Sequence, residues 1–368
     1  MLFRSLTPIF TVCFLCLLTL GAVHATGLPG TAVDTTVIPA INISSGNRDD
    51  DPLPYYKISK DTYFLYANIS EVNKQNRGFN GNAGFVLTSE GVVVIDSLGT
   101  PKLGKRLIAT IRKVSNLPIR YLIITHHHPD HYFGAIAFRQ IPGIKIIAHE
   151  GILDYLNSGN MQLSADFRRE LLGADMEGFQ AAKPDIALGG LPYKAYSFAL
   201  GGKTFAVYNT GKHHSFGDLV VHQVDAGNIW ISDLAFNQRT TFMGDGHSAE
   251  ILEAITWLQK KFPDIKLVIP GHGSAQTAPF AMLHKTYDYI ERLRSKMRYA
   301  IESGLGIDEA VKRSDFEEWH GTRLYRENHP RNAHFIYLEM EQEVFFWKIV
   351  VDTDSGSHFS NILVPCKC

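Results

Sequence analysis

The sequence predicts an α/β protein with a layered core. Short apolar runs, typical of buried strands, alternate along the chain with segments of helical periodicity. Residues 121–124 form the clearest strand pattern, and residues 102–114 carry apolar side chains on one helical face. Because no internal repeat or linker interrupts the pattern, we expect one domain over residues 54–368, with a helical C-terminal extension.

The remaining elements follow from the same two periodicities. Further strands are predicted at 63–66, 84–87, 92–95, 144–147, 204–208, 219–223, 229–232 and 265–269. Helices are predicted at 248–261, with Ser248 as the N-cap, and at 283–303. Residues 334–349 fit a helix, although a strand is also open there. Residues 151–190 are mixed and helix-leaning, and we expect them to wall a pocket.

The N-terminus has the pattern of an export signal. Arg4 precedes an apolar stretch over residues 9–20, and small residues at Val23 and Ala25 favour cleavage after Ala25. The stretch is too short to predict a membrane span, so we expect no stable membrane insertion after cleavage. Residues 1–25 are therefore predicted to be a signal peptide, residues 26–53 a flexible segment, and the protein periplasmic or secreted.

Composition excludes several classes of protein. The chain has 36 basic and 37 acidic residues, so a strongly basic surface for nucleic acid is not expected. Two of the four cysteines fall in the leader, and the others are Cys366 and Cys368. A disulfide framework is thus excluded, and the role of this tail pair stays open. The expected partner is a small-molecule substrate, and the oligomeric state stays open.

The stretch Thr125-His126-His127-His128-Pro129-Asp130-His131 offers ligands for two metal ions where a strand ends. In extended backbone, His126 and His128 share a face and can bind one ion. Asp130 and His131 turn away and can serve a second. Imidazole and carboxylate suit zinc, with iron or manganese as alternatives.

Three later strand ends can complete the two ligand sets. One of the adjacent His213 and His214 can supply a third histidine, Asp233 offers a lone carboxylate that could bridge two cations, and His272 lies between glycines that permit close backbone approach. Each signal is weak alone, but together they predict a dinuclear site.

In these motifs the chain resembles the metallo-β-lactamase superfamily, whose signature is H-x-H-x-D-H. The resemblance runs from about residue 55 to 273 and implies a four-layered αβ/βα fold with two facing mixed sheets and outer helices. It also implies the ligand roles. By this resemblance, the first metal ion is bound by His126, His128 and His214. The second is bound by Asp130, His131 and His272, and Asp233 bridges the two ions. Asp96 resembles a buried carboxylate that orients ligand histidines, and His127 is expected to face solvent or the pocket rim.

Within the superfamily, the leader, Ala148-His149 and the C-terminal extension favour the exported zinc metallohydrolases of quinoprotein dehydrogenase systems. Leu234 follows the bridging aspartate, where lactamase branches place cysteine or serine. This departure argues against lactam hydrolysis.

The expected activity is hydrolysis of an ester, thioester, lactone or amide. A pair of Zn²⁺ ions would share one water and convert it to hydroxide near neutral pH. Asp130 is the candidate to orient that hydroxide and accept its proton. Weaker candidates for substrate binding are Tyr132, which could equally pack beneath the site, Lys212 and Arg239.

Other functions remain open at this point. They are β-lactam hydrolysis, hydroxyacylglutathione hydrolysis, a mononuclear iron oxygenase like persulfide dioxygenase, and an accessory protein that binds metal or quinone without turnover. Metal analysis distinguishes the iron oxygenase from the zinc hydrolase, because the oxygenase would hold about one iron per chain and the hydrolase two zinc ions.

Overall fold

The computed structural model describes residues 48–354. The expected signal peptide (1–25), the segment up to residue 47 and the Cys366 and Cys368 tail lie outside these residues. Within residues 48–354, no helix is both long enough and apolar enough to cross a bilayer.

Strands and helices interleave in the described chain, as the periodicities predict. The strands are β1 (Tyr56–Ser59), β2 (Thr62–Leu65), β3 (Ala83–Leu87), β4 (Val92–Ile95), β5 (Ile119–Ile123), β6 (Lys145–His149), β7 (Ile186–Leu188), β8 (Ala195–Leu200), β9 (Lys203–Asn209), β10 (Leu219–Gln223), β11 (Asn228–Ser232) and β12 (Leu267–Pro270). The α-helices are α1 (Pro101–Val114), α2 (Pro129–Tyr132), α3 (Ala135–Arg139), α4 (Gly151–Asn157), α5 (Gly159–Leu172), α6 (Ser248–Lys261), α7 (Ala281–Glu302), α8 (Ile307–Lys312) and α9 (Tyr325–Asp354).

The strands form two mixed sheets. The first has seven strands in the order β1 to β7, antiparallel from β1 to β4 and parallel from β4 to β7. The second has the order β12-β11-β10-β9-β8, in which only β11 and β12 are parallel among the five strands. Parallel neighbours place their carboxyl ends on one edge, where loops can carry a site.

Three apolar clusters hold four layers together. Side chains such as Val93, Ile123, Val207 and Trp230 fill the space between the sheets. The outer face of the first sheet packs on α1, α3 and the region 151–190, and the outer face of the second packs on α6, α7 and α9. This is the four-layered αβ/βα arrangement that the resemblance implied.

The structure corrects two local expectations and decides a third. Residues 48–53 were expected to be flexible, but Leu53 is buried in the core and its N–H donates to Thr110 Oγ1 at 2.7 Å. Ser248 is the first residue of α6 rather than its N-cap, and its hydroxyl donates to Glu339 Oε2. The segment 334–349, left between helix and strand, lies within α9.

Gly134, three residues after His131, permits a close approach of the backbone to Ser97. A Cβ at position 134 would lie 1.9 Å from the backbone oxygen of Ser97. The Ser97 hydroxyl in turn donates a hydrogen bond to the carbonyl of the predicted ligand His131. We expect Gly134→Ala to lower the free energy of unfolding by about 1–3 kcal/mol through overpacking, measured by urea denaturation. Gly159→Ala is the control, because a Cβ added there, at the start of α5, would meet no atom within 4 Å. Equal stability of the two variants would contradict the argument.

Candidate metal centre

All seven predicted ligands converge at one edge of the two sheets. They come from the loop after β5, helix α2, the β9–β10 loop, and the residues that follow β11 and β12. Gly271 allows the last two of these chain segments to approach closely, since a Cβ there would lie 1.9 Å from Asp233 Oδ1. The parallel β11–β12 pair thus brings Asp233 and His272 together.

The first ligand set gathers around one carboxylate oxygen. His126, His128, His214 and Asp233 each offer one ligand atom, and these atoms lie within 4.8 Å of one another. The Nε2 atom of His214 lies 2.9 Å from His128 Nδ1 and 3.1 Å from Asp233 Oδ2. The choice of His214 over His213 agrees with this geometry, because His213 instead contacts Thr210.

The second ligand set contacts the same aspartate through both of its carboxylate oxygens. Asp130, His131 and His272 also offer atoms within 4.8 Å of one another. Asp233 Oδ1 lies 3.5 Å from His131 Nε2, and Asp233 Oδ2 lies 3.2 Å from His272 Nε2. Asp233 therefore touches both sets and is placed to bridge two ions.

Each ligand histidine of the early motif has its second ring nitrogen held by the protein. His131 Nδ1 lies 2.8 Å from Asp96 Oδ2, and His128 Nε2 lies 2.8 Å from Asp245 Oδ2. His126 Nδ1 contacts the hydroxyls of Thr125 and Ser232. These contacts fix the ring orientations and leave one nitrogen of each ring directed into the cluster.

His272 is oriented by a backbone group. Its Nδ1 lies 2.8 Å from the Asn80 carbonyl, which can only accept. We assign the proton to Nδ1, so that Nε2 has a lone pair facing the cluster. The side chain of Asn80 also serves the site, donating from Nδ2 to Asp130 Oδ2 at 2.8 Å.

The residues present fit a pair of cations. Among the described residues, His126 Nε2, His131 Nε2 and Asp233 Oδ1 are buried and have no hydrogen-bond partner. Buried polar atoms are rarely left so, and these three all face the space between the ligands. Imidazole nitrogens with carboxylate oxygens are a donor set that zinc accepts.

The charges around the ligands also favour the binding of cations. Burial by itself lowers the pKa of His131, but neighbouring carboxylates outweigh it and raise that pKa to about 10. These carboxylates are Asp233, Asp96 and Asp130. The negative charge that favours a proton on His131 would equally favour a metal cation in its place. Burial raises the pKa of Asp233, yet its histidine neighbours hold that pKa well below the usual range.

The pocket above the ligands has a volume of about 220 Å³ and includes three arginines in its lining, Arg168, Arg239 and Arg331. Arg168 lies on α5, so the region 151–190 does wall a pocket. Arg239, a substrate-binding candidate from the sequence, is 8% exposed, and its Nη1 atom lies 3.0 Å from His272 Nδ1.

Two other candidates are placed away from the ligands. Tyr132 was a candidate for substrate binding, but it is buried in the first core cluster and its hydroxyl donates to the Ala182 carbonyl. Lys212 is exposed and does not line the pocket. His127 does not reach the rim either, because it packs between the rings of Tyr155 and Phe216.

Asn80 and Asp245 were missed by sequence reasoning. Asn80 stands in a Gly- and Asn-rich loop, and Asp245 follows a glycine far along the chain from its partner. Neither has a spacing that marks it as a partner of a ligand. Both act through contacts that form only when distant segments pack together.

Asp96 and Asp245 lead to a paired prediction. We expect Asp96→Asn to weaken the second ion and Asp245→Asn to weaken the first, each by about 10- to 100-fold, as is usual when a carboxylate that orients a ligand is lost. Competition with a chelator under zinc titration would measure both affinities. Asp185→Asn, at a carboxylate that pairs with Arg139 outside the site, is the control. If both variants weakened the same ion, the assignment would be wrong.

Several known proteins are similar to this chain in sequence or in fold. The chain is similar to a metallo-beta-lactamase type 2 of Elizabethkingia meningoseptica, with 25% identity over 276 residues that cover 71% of this chain and 96% of that protein. The solved metallo-beta-lactamase from Pontibacter korlensis has a TM-score of 0.50 at 21% identity, covering 65% of this chain and 99% of that one.

The stereoselective inverting sec-alkylsulfatase Pisa1 from Pseudomonas sp. has a similar fold. Its TM-score is 0.62 at 15% identity, covering 77% of this chain and 50% of that one. Residues 76–272, more than half of the chain, match the family model for the metallo-beta-lactamase superfamily. With that match and two converging sets of histidine and aspartate side chains, the chain belongs to the metallo-beta-lactamase superfamily.

Proposed function

We propose that this protein is an exported dinuclear zinc hydrolase that cleaves an ester, thioester, lactone or amide bond. One observation carries the proposal: seven nitrogen and oxygen donors meet in two sets that both contact Asp233, and three of their buried atoms without a hydrogen-bond partner face inward. When bound, a zinc pair of this kind lowers the pKa of water toward neutrality and polarises a carbonyl oxygen.

The protein's own groups support this chemistry. Asp130 lines the pocket, and Asn80 holds its Oδ2 atom in place. Burial raises the pKa of Asp130, but the positive charges of His131 and Arg168 oppose it, so the pKa lies below its usual range and the carboxylate is ionised. An ionised carboxylate at this place can orient an attacking water and accept its proton. Phe236 and Phe242 supply apolar pocket walls.

The test combines metal quantification with a substrate panel. Purified protein should hold two zinc ions per chain and hydrolyse at least one of a lactone, a thioester, a carboxylic ester and a simple amide. Phosphodiesters and alkyl sulfates complete the panel as other ester classes. Two bound zinc ions with no turnover of any carbonyl substrate would refute the proposal. One iron per chain with oxygen uptake would replace it with the mononuclear oxygenase.

A second candidate is β-lactam hydrolysis. It is favoured by the similarity to the Elizabethkingia protein over nearly its whole length, and by the position of Arg239 beside the metal pocket, where a cation could bind a substrate carboxylate. The residue after Asp233 argues against this activity, because it is Leu234 and not the cysteine or serine of the lactamase branches. Turnover of a chromogenic cephalosporin at a rate above that of the simple lactone would favour the lactamase.

A further inference from the structure

A second, larger cavity adjoins the metal pocket. Its volume is about 690 Å³, compared with about 220 Å³ for the metal pocket, and Phe236 and Arg239 line both. Ligand pockets usually measure about 300–1,000 Å³. The metal pocket alone is therefore small for an organic substrate, while the two spaces together are large enough.

The far wall of this second cavity comes from the C-terminal extension. Lys285 on α7 and the segment with Trp319 and Arg323 contribute to it, and all lie beyond the family match at residue 272. Backbone contacts hold this wall in place, because Thr240 N–H donates to the Arg323 carbonyl at 2.9 Å. Asn328 on α9 also donates to the Thr240 carbonyl. The cavity is thus built into the fold.

Arg239 stands between the two cavities, where its guanidinium lies 5.5 Å from the centre of the Phe236 ring and has no carboxylate partner among the described residues. Its side chain is buried, with 8% of the residue exposed. Its Nε atom is buried without a hydrogen-bond partner. Its Nη1 atom lies 3.0 Å from His272 Nδ1. With the proton assigned to Nδ1, that nitrogen donates to the Asn80 carbonyl and cannot accept a hydrogen bond from Arg239. An arginine is always charged, and burying its charge without an anion is costly.

The remaining walls favour an apolar body with negative charge. Tyr66, Phe236 and Trp319 supply aromatic surface. Among the charged side chains of the second cavity, Arg292 and Glu318 pair with each other at 2.5 Å. The others are three cations, Arg239, Lys285 and Arg323, and one anion, Asp288. The balance is therefore positive.

We infer that the two cavities form one elongated pocket for an amphiphilic organic anion. Its negative group lies on Arg239 beside the metal centre, and its apolar body lies against Tyr66, Phe236 and Trp319. This inference rests on the proposed hydrolase and names its substrate class. The C-terminal extension then determines which substrates bind, while the ligands of the metal centre determine the reaction.

Binding of octane-1-sulfonate tests the inference without turnover. A sulfonate carries the charge and the apolar chain but has no ester bond to cleave. Isothermal titration of the zinc-loaded full chain should show one site. We expect Arg239→Gln to weaken binding about 10- to 100-fold, the range for losing a charge-assisted hydrogen bond. Trp319→Ala should weaken it about 3- to 10-fold, while leaving the binding of ethanesulfonate unchanged.

Two controls keep the result interpretable. Arg313→Gln removes an exposed arginine of the extension that pairs with Glu309, and should bind octane-1-sulfonate like the parent protein. Measuring the metal content of Arg239→Gln shows whether that variant keeps its ions. If it loses them, the binding measured with Trp319→Ala tests the pocket instead. Binding that is independent of chain length and of Trp319 would overturn the inference. Binding as expected, with no turnover of the substrate panel, would uphold the pocket and refute the hydrolase.

Discussion

Replacing Asp233 with asparagine should remove both ions and abolish activity. The carboxylate lies 3.1 Å from His214 Nε2, 3.2 Å from His272 Nε2 and 3.5 Å from His131 Nε2, so it contacts both ligand sets. An amide of the same size has one neutral oxygen and would direct an NH₂ group at one set. We expect zinc content to fall from two ions to fewer than one per chain, and kcat/KM to fall by more than about 100-fold, beyond the range for groups that only orient ligands.

Asp225→Asn is the matched control for this experiment. Asp225 also lies in the second half of the chain next to the second sheet, where its carboxylate accepts a hydrogen bond from the Thr204 N–H away from the ligands. This variant should keep two ions and its full activity. If Asp233→Asn still bound two zinc ions with the parent affinity, Asp233 could not be the bridge.

Replacing Asp130 with asparagine should separate catalysis from metal binding at the first site. Asp130 belongs only to the second ligand set, so the ion held by His126, His128 and His214 should stay. Loss of the group that accepts a proton from water should lower kcat by about 10²–10⁴-fold. Metal analysis and steady-state kinetics on one preparation measure both effects.

Two further observations decide the role of Asp130. Asn80→Ser removes the hydrogen bond to its Oδ2 atom but keeps the carboxylate, so a smaller loss of kcat is expected than with Asp130→Asn. If excess zinc restored full activity to Asp130→Asn, the carboxylate would be a ligand alone and its role as proton acceptor would be wrong.

The ligands could be predicted from sequence because each follows a recognisable strand. The run before Thr125 and the run before Asp233 are short, apolar and β-branched, so both mark strand ends. Strand ends in an α/β protein meet at one edge, which places these donors near one another before any coordinates are known. The family resemblance supplied the division into two sets, and the observed geometry has the same division.

Substrate residues could not be predicted in the same way. Tyr132 directly follows a ligand in the chain, but the turn of α2 directs it into the core. Lys212 is two residues from a ligand and exposed, whereas Arg239, six residues beyond Asp233, is buried at the pocket. Distance along the chain does not give the direction of a side chain, because that direction depends on backbone conformation and packing.

The sequence by itself determined the layered α/β class and six of the seven metal-binding candidates, since both depend on local periodicity and on residue type at strand ends. The choice of His214 over the adjacent His213 came from the family resemblance. Only the tertiary structure decided which ring nitrogen faces the other ligand atoms, which side chains hold the ligands in place and where the second cavity lies. These features arise where segments far apart in the chain meet, as Asn80 meets Asp130 and Arg239 meets Arg323. Contacts of this kind leave no periodic signal in the sequence.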